Sequence, residues 1–327
     1  MSVTEIVEQV RAAVQAERPS EVWGGGALVS RLAADLDVGR IDGALNTGVV
    51  EHEPADLVIT VGSGMPVAEL DQELASLGQE CPLDDPFGSG ATVGGRVATG
   101  LGGFRQLGCG PVRDWILGAT LVTGDGRIAA AGGRTVKNVT GYDLPRLLCG
   151  SWGTLGVMVD VTLKVRPRPR WSGWFTTTAP VESWIGQLYA PASVLVGPAR
   201  SWVLLEGHPK DAEEAAAAVG MEASEAPPFP RGIRFSVPRF DLAGWLDRLP
   251  PTGWLAEWGV GVVHLDTGLL EASLRDDVDA AGGRVLRLGE PALADDLRPA
   301  GANHPFQRRL KQEFDPAGVL APWRFQT

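Results

Sequence analysis

Apolar positions recur along the chain with two different periods. Over residues 3–17, Ile6, Val10, Ala13 and Val14 share one helical face, and Pro19 closes the segment. A short strand, EVWGG, then runs into Gly24, Gly25 and Gly26. Residues 56–61 (DLVITV) read as a buried strand. Pro66 opens a helix carrying Val67, Leu70, Leu74 and Leu77, which Gly78 terminates. Apolar runs at 116–122 and 127–131 flank Thr123-Gly124-Asp125-Gly126, a hairpin signal. Residues 134–150 combine a basic entry with a helix, Asp143 serving as N-cap and Pro145 sitting in the first turn. From Val157 the period becomes two. Val157, Val159, Val161, Leu163 and Val165 take one face, and Met158, Asp160, Thr162 and Lys164 the other.

The strand ends at KVRPRPRW, where alternating Arg and Pro cannot continue a central strand and read as a stiff, solvated connector. A domain boundary is expected there, near residue 169. Beyond it, strands are expected at 172–178, 193–205, 232–237, 254–265 and 284–288, alternating with helices at 181–189, 210–219, 239–248 and 269–281. Eight of the eleven tryptophans lie from Trp171 onward. Core filling explains them more simply than an interface, because Trp buries a large area wherever it sits.

One stretch obeys neither period. Residues 84–110, DDPFGSGATVGGRVATGLGGFRQLGCG, hold nine glycines. Each glycine surrenders more backbone freedom on folding than any other residue. A chain tolerates that where bare N–H groups must approach an anionic or flat ligand. A flexible linker is the alternative, but Val93, Val97, Ala98, Leu101 and Phe104 interleave with the glycines and there is almost no polar padding. A ligand-cradling loop is therefore expected.

Composition removes several functions. A formal charge of −11 argues against nucleic-acid binding. No apolar run approaches the ~20 residues that span a bilayer, and the N-terminus has neither a basic n-region nor an apolar h-region, so a cytoplasmic chain is expected. Cys81, Cys109 and Cys149 are too far apart for a metal or iron–sulfur motif, and no metal site is expected. Charge is unevenly distributed: residues 1–100 are strongly acidic and residues 101–200 are basic. That arrangement suits a diphosphate or an acidic partner, or simply lobes that attract each other.

Three glycine clusters in this order, with G-x-G-A-T-V-G-G in the middle, then K-N-V-T-G-Y-D-L and G-S-x-G-T-L-G before an alternating strand, resemble one family. It is the FAD-binding domain of the vanillyl-alcohol oxidase/p-cresol methylhydroxylase (PCMH) superfamily, and within it the FAD-binding subunits of bacterial glycolate oxidase. The resemblance covers about residues 20–169 and returns in RRLKQEFDPAGVLAPWRF. It implies an α+β fold: a two-subdomain PCMH-type FAD-binding domain over 1–169, a smaller α+β cap over 170–300, and a C-terminal helix and tail, 301–327, returning to the first domain. It further implies that Gly24, Gly25, Gly26 and Ala27 form a pyrophosphate loop. Pro86, Gly88, Gly90, Ala91, Thr92, Gly94, Gly95, Thr99, Gly100 and Gly103 would line diphosphate and flavin. Gly141 and Tyr142 would lie nearby, and Gly153, Leu155, Gly156 and Val157 would close over the cofactor. Ala27 stands where covalent members carry histidine, so non-covalent FAD is expected.

The resemblance also implies partners: a homologous catalytic flavin subunit and an iron–sulfur subunit, with any membrane association supplied through them. Related hydroxy-acid dehydrogenases carry a histidine-bearing metal motif that this chain lacks. His264 in VVHLD and His304 in ANHPF lie in no matching motif. Three readings remain open. The chain is a flavoprotein subunit relaying electrons, or a self-sufficient oxidase of a small 2-hydroxy acid with His264, His304 or Tyr142 near the flavin, or a cofactor-free scaffold.

Overall fold

The computed structural model describes residues 3–25, 38–44, 46–85, 90–133, 144–266, 272–287 and 304–325. The chain forms two compact units, one from residues 1–103, 111–168 and 297–327, the other from 104–110 and 169–296.

The first unit begins with α1 (Val3–Gln15), β1 (Ser20–Trp23), β2 (Gly39–Asp42), β3 (Val49–Glu53) and β4 (Val58–Gly62). It continues through α2 (Val67–Ala75), β5 (Gln79–Glu80) and α3 (Val93–Thr99). Between them, α3 and the next element of this unit enclose α4 (Gln106–Cys109), which packs with the second unit. Then come β6 (Ile116–Val122), β7 (Ile128–Gly132), α5 (Leu144–Leu148), β8 (Val157–Lys164) and β9 (Arg166–Pro167). Five strands make an antiparallel sheet in the order β3-β4-β8-β6-β7, and β1 pairs in parallel with β2.

The alternation read for β8 does not separate a wet face from a dry one. Met158 and Thr162 are buried like the valines, because β8 is the central strand with layers on both sides. Thr162 satisfies its hydroxyl against Thr60 across the ladder at 2.9 Å. Ile6, Val7, Val10 and Ala13 of α1 pack onto Ile41, Val122, Val157 and Val159. The Arg-Pro segment is not wholly solvated either. Arg166 and Pro167 form β9 against β5, with Arg166 bound to Glu80 at 2.6 Å.

The second unit holds β10 (Ser172–Thr177), β11 (Ser193–Val196), β12 (Ser201–Glu206), α6 (Pro209–Ala218) and β13 (Glu222–Ser224). These are followed by β14 (Ile233–Ser236), α7 (Leu242–Leu246), β15 (Trp254–Glu257), β16 (Val262–Leu265), α8 (Ala272–Ala280) and β17 (Arg284–Arg287). The expected strands 193–205 and 254–265 are each a hairpin, broken at Gly197 and at Gly259–Gly261. The expected helix 181–189 is two short 3₁₀ turns.

Together the strands form one antiparallel sheet in the order β13-β10-β12-β11-β15-β16-β14-β17. Each half therefore runs in the order fourth, first, third, second strand, as in a split β-α-β-β-α-β unit, and the halves join through β11 and β15. One helical layer buries Phe175, Trp184, Val203 and Ala216, and the other buries Phe235, Trp245, Val263 and Val278. All seven tryptophans from Trp171 to Trp258 are buried or partly buried, which favours their core role.

The chain returns to the first unit in α9 (His304–Phe314). Asp315 accepts the amides of Val319 and Leu320, and Leu320 bridges to Ser20 beside β1. Lys311, nearly buried, donates to Asp315 at 2.6 Å, to the Thr154 carbonyl at 2.9 Å and to the Leu320 carbonyl at 2.5 Å. Three donors meet three acceptors. Burial pushes this lysine's pKa down, and Asp315 opposes the shift.

Candidate cofactor cleft

The glycine stretch is not all loop. VGGRVAT forms α3, capped by the Thr92 hydroxyl, which accepts the Gly95 amide at 3.1 Å. Gly100 ends the helix at φ 65°, a left-handed cap that suits glycine. Gly94 is required for another reason: a Cβ there would stand 2.7 Å from Ser63 Cβ and 2.9 Å from its carbonyl. Helix α3 thus lies close to the end of β4. Ser63 is held there by donating to the Gly43 and Met158 carbonyls.

Asp85 secures the two ends of the loop before α3. It accepts the Ala91 amide at 3.3 Å and binds Arg96 Nη2 at 2.5 Å, and Arg96 also donates to the Leu101 carbonyl. Arg96 is 1% exposed. Burial lowers its pKa and Asp85 raises it, so the pair is an internal brace rather than a ligand contact.

A cleft opens beside this helix. Its wall combines the three glycine clusters: Gly24 after β1, Thr92, Gly94, Gly95, Ala98 and Thr99 around α3, and Trp152, Gly153 and Gly156 before β8. Val22, Trp23, Gly43, Ser63 and Met158 complete it. Among the described residues, no charged side chain lines the cleft. Room is made by missing side chains, since a Cβ at Gly24 would meet the Thr92 hydroxyl at 2.8 Å and one at Gly25 the Gly90 carbonyl at 2.7 Å. Trp152 adopts φ 55°, uncommon for a bulky residue, and its amide is fixed on the Ala98 carbonyl at 2.8 Å. Behind this wall the Cys149 thiol is pushed up to about 11, burial being the main cause, which keeps it protonated and unreactive.

Of the expected residues, Gly24, Thr92, Gly94, Gly95, Thr99, Gly153 and Gly156 come together in the wall, and Gly25, Gly90, Ala91 and Gly100 flank it. Gly103 packs on Asp84. Leu155 and Val157 are buried and do not line the cleft; Val157 packs in the core beneath α1. Gly26, Ala27, Pro86, Gly88, Gly141, Tyr142 and Asp143 lie outside the described residues, as does the side chain of His304. His264 belongs to the second unit and not to this cleft. The sequence reading missed Trp23, Gly43, Ser63, Ala98, Trp152 and Met158. Trp152 was legible inside G-S-W-G, whereas Gly43 and Ser63 are brought in only by the sheet.

The cleft's unit corresponds to a known domain: residues 1–132 match the FAD binding domain family. Aligned over 339 residues, 98% of this chain and 96% of that protein, the sequence is 31% identical to glycolate oxidase subunit GlcE of Escherichia coli (strain K12). The chain belongs to the GlcE family. This family shares its PCMH-type FAD-binding fold with longer oxidoreductases. A D-lactate dehydrogenase of Archaeoglobus fulgidus is 36% identical over 46% of this chain and 34% of its own length. Glycolate oxidase subunit GlcD of Bacillus subtilis is 35% identical over 37% of this chain and 26% of its own length. This chain therefore spans only about a third, or less, of those two proteins. A solved alkyldihydroxyacetonephosphate synthase, 14% identical, superposes with a TM-score of 0.66 over 98% of this GlcE-family chain and 75% of its own, which shows the shared fold.

Proposed function

We propose that this chain is the FAD-binding subunit of a glycolate oxidase complex, working beside a homologous catalytic flavin subunit and an iron–sulfur subunit. The observation that carries this reading is end-to-end similarity to a named glycolate oxidase subunit, together with a cleft walled by all three glycine clusters. The fit to FAD is chemical. A diphosphate can be bound without arginines when backbone amides donate charge-assisted hydrogen bonds. Among the described residues, the Gly24 and Gly25 amides have no backbone partner.

Gly24, Gly25, Thr92, Gly94, Gly95 and Thr99 would hold the cofactor, with Trp23, Trp152 and Met158 supplying apolar surface for a planar ring. Once bound, the flavin supplies the two-electron acceptor that a 2-hydroxy acid needs and can release electrons singly to an iron–sulfur partner. Lys311 contributes indirectly, by fixing the Thr154 carbonyl in the third glycine turn.

Purified alone, the chain is expected to be yellow, with non-covalent FAD released by acid precipitation and little glycolate turnover. Adding the partner subunits should restore turnover. A colourless protein that cannot be reconstituted with FAD would overturn the reading. Among the described residues, no helix is long and apolar enough to cross a membrane.

A further inference from the structure

One residue in the cleft wall departs from the way the rest of it is built. The wall is opened by leaving side chains out. Where the third glycine turn needs a left-handed backbone it has glycine, Gly150 at φ 83° and Gly153 at φ 75°. Between them stands Trp152, at φ 55°. Among the described residues, four other non-glycine residues take positive φ, namely Glu17, Leu57, Ala190 and Ala321, and none of them lines the cleft. Trp23, the other indole in the wall, ends strand β1 and has no such backbone.

A bulky side chain is disfavoured in this conformation, and glycine would take it without steric cost. Such a backbone persists only where its surroundings fix it. Here they do. Gly150 and Trp152 donate to the Val97 and Ala98 carbonyls at 3.1 and 2.8 Å, and the Thr154 amide donates to the Ser151 carbonyl at 3.0 Å. Lys311 holds the Thr154 carbonyl at 2.9 Å. Gly153 lies so close to β1 that a Cβ on it would stand 3.0 Å from Val22 Cβ. The turn is therefore fixed against α3, against α9 and against the strand that leads to Gly24. An indole mounted on it is partly buried and keeps its place in the wall, so little side-chain freedom is left to lose on binding.

We propose that Trp152 is the stacking platform for a flat ring of FAD, and that this role keeps a non-glycine residue at the strained position. The inference rests on the FAD reading above, and it assigns a binding role to one side chain in a site otherwise built from backbone. Indole offers a large flat surface, and stacking on a heteroaromatic ring needs no charge. That suits a wall with no charged side chain among the described residues. FAD carries two such rings, adenine and isoalloxazine, and the test tells them apart.

The test uses the full chain, stripped of FAD and titrated back by flavin fluorescence, as the parent and as Trp152→Leu, Trp152→Gly and Trp152→Phe. The Leu and Gly variants should bind FAD about 10- to 100-fold more weakly, the loss of one ring–indole stack. Trp152→Phe, which restores an aromatic face, should recover most of that loss. Unchanged affinity in the Leu and Gly variants would overturn the proposal. So would a Phe variant as weak as Leu, since the indole would then act by packing alone. Should Trp152→Gly fail to fold, the comparison of Leu with Phe decides. FMN and ADP each carry one of the two rings. In Trp152→Leu, a loss of ADP affinity alone assigns the platform to adenine, and a loss of FMN affinity alone assigns it to isoalloxazine. Loss of both with a lowered unfolding temperature would mean a collapsed cleft and would overturn it. A parent that takes up no FAD sinks the FAD reading, whereas a yellow parent whose variants bind equally well sinks this platform alone.

Discussion

The two units hold their polar chemistry in opposite ways. In the first, the cleft wall carries no charged side chain among the described residues, and the charged groups nearby, Arg96 with Asp85 and Lys311 with Asp315, are buried braces behind it. In the second, glycine is incidental and the polar groups are side chains: Arg234, Glu257 and His264 on neighbouring strands of one sheet. A backbone site is made by subtraction, so it needs the surrounding chain held tightly. A side-chain cluster needs only correct strand register. Variants of the first unit should therefore change cofactor content, and variants of the second should leave it alone.

The largest effect is expected from Lys311→Met, which strands the buried Asp315 carboxylate and frees the Thr154 carbonyl. A loss of about 3–5 kcal/mol is expected in denaturant unfolding, with FAD released early in the transition. Retained stability would show the brace to be dispensable. Next comes Asp85→Asn, which weakens the bond to buried Arg96. It should cost about 1.5–3 kcal/mol and lower the ratio of flavin to protein absorbance, because the loop before α3 loses its clamp.

Gly94→Ala forces a methyl against Ser63. About 1–3 kcal/mol of destabilisation is expected, together with weaker FAD binding by fluorescence titration; tight binding in this variant would blur the contrast drawn above. The smallest effect belongs to the second unit. Burial, helped by Arg234, pulls the His264 pKa below 6.5, and Glu257 only partly offsets this. The unfolded state then takes up the proton first as pH falls, so the neutral histidine's contribution is whole above about pH 6.5 and is lost as pH drops through the folded value. His264→Gln should flatten the fall in unfolding temperature between pH 7 and 5 while the protein stays fully yellow.

Much of this was legible from residue order. The amphipathic start of α1, the helix after Pro66, the hairpin around Asp125-Gly126 and the long strand β8 all follow from local periods that tertiary packing had no reason to override. The glycine clusters announced a close approach of backbone to ligand. Other features were hidden. VGGRVAT was read as part of a loop because two glycines lower helix propensity, but Thr92 caps the segment and Val93 and Val97 bury it, so α3 forms regardless. Long apolar runs in the second half read as single strands because a period of two cannot show where a chain folds back on itself.

By itself, then, the residue order determined the local elements and the need for bare backbone near residue 90, since both are set by neighbours a few positions apart. Tertiary structure alone decided which glycines share a wall, since Gly43, Ser63 and Met158 reach the cleft only through strand pairing. It also decided that Phe104–Gly110 leaves its sequence neighbours for the other unit, and that Arg234, His264 and Glu257 meet on one face. Contacts of that kind join residues tens of positions apart, and their register comes from the whole sheet, which no local pattern encodes.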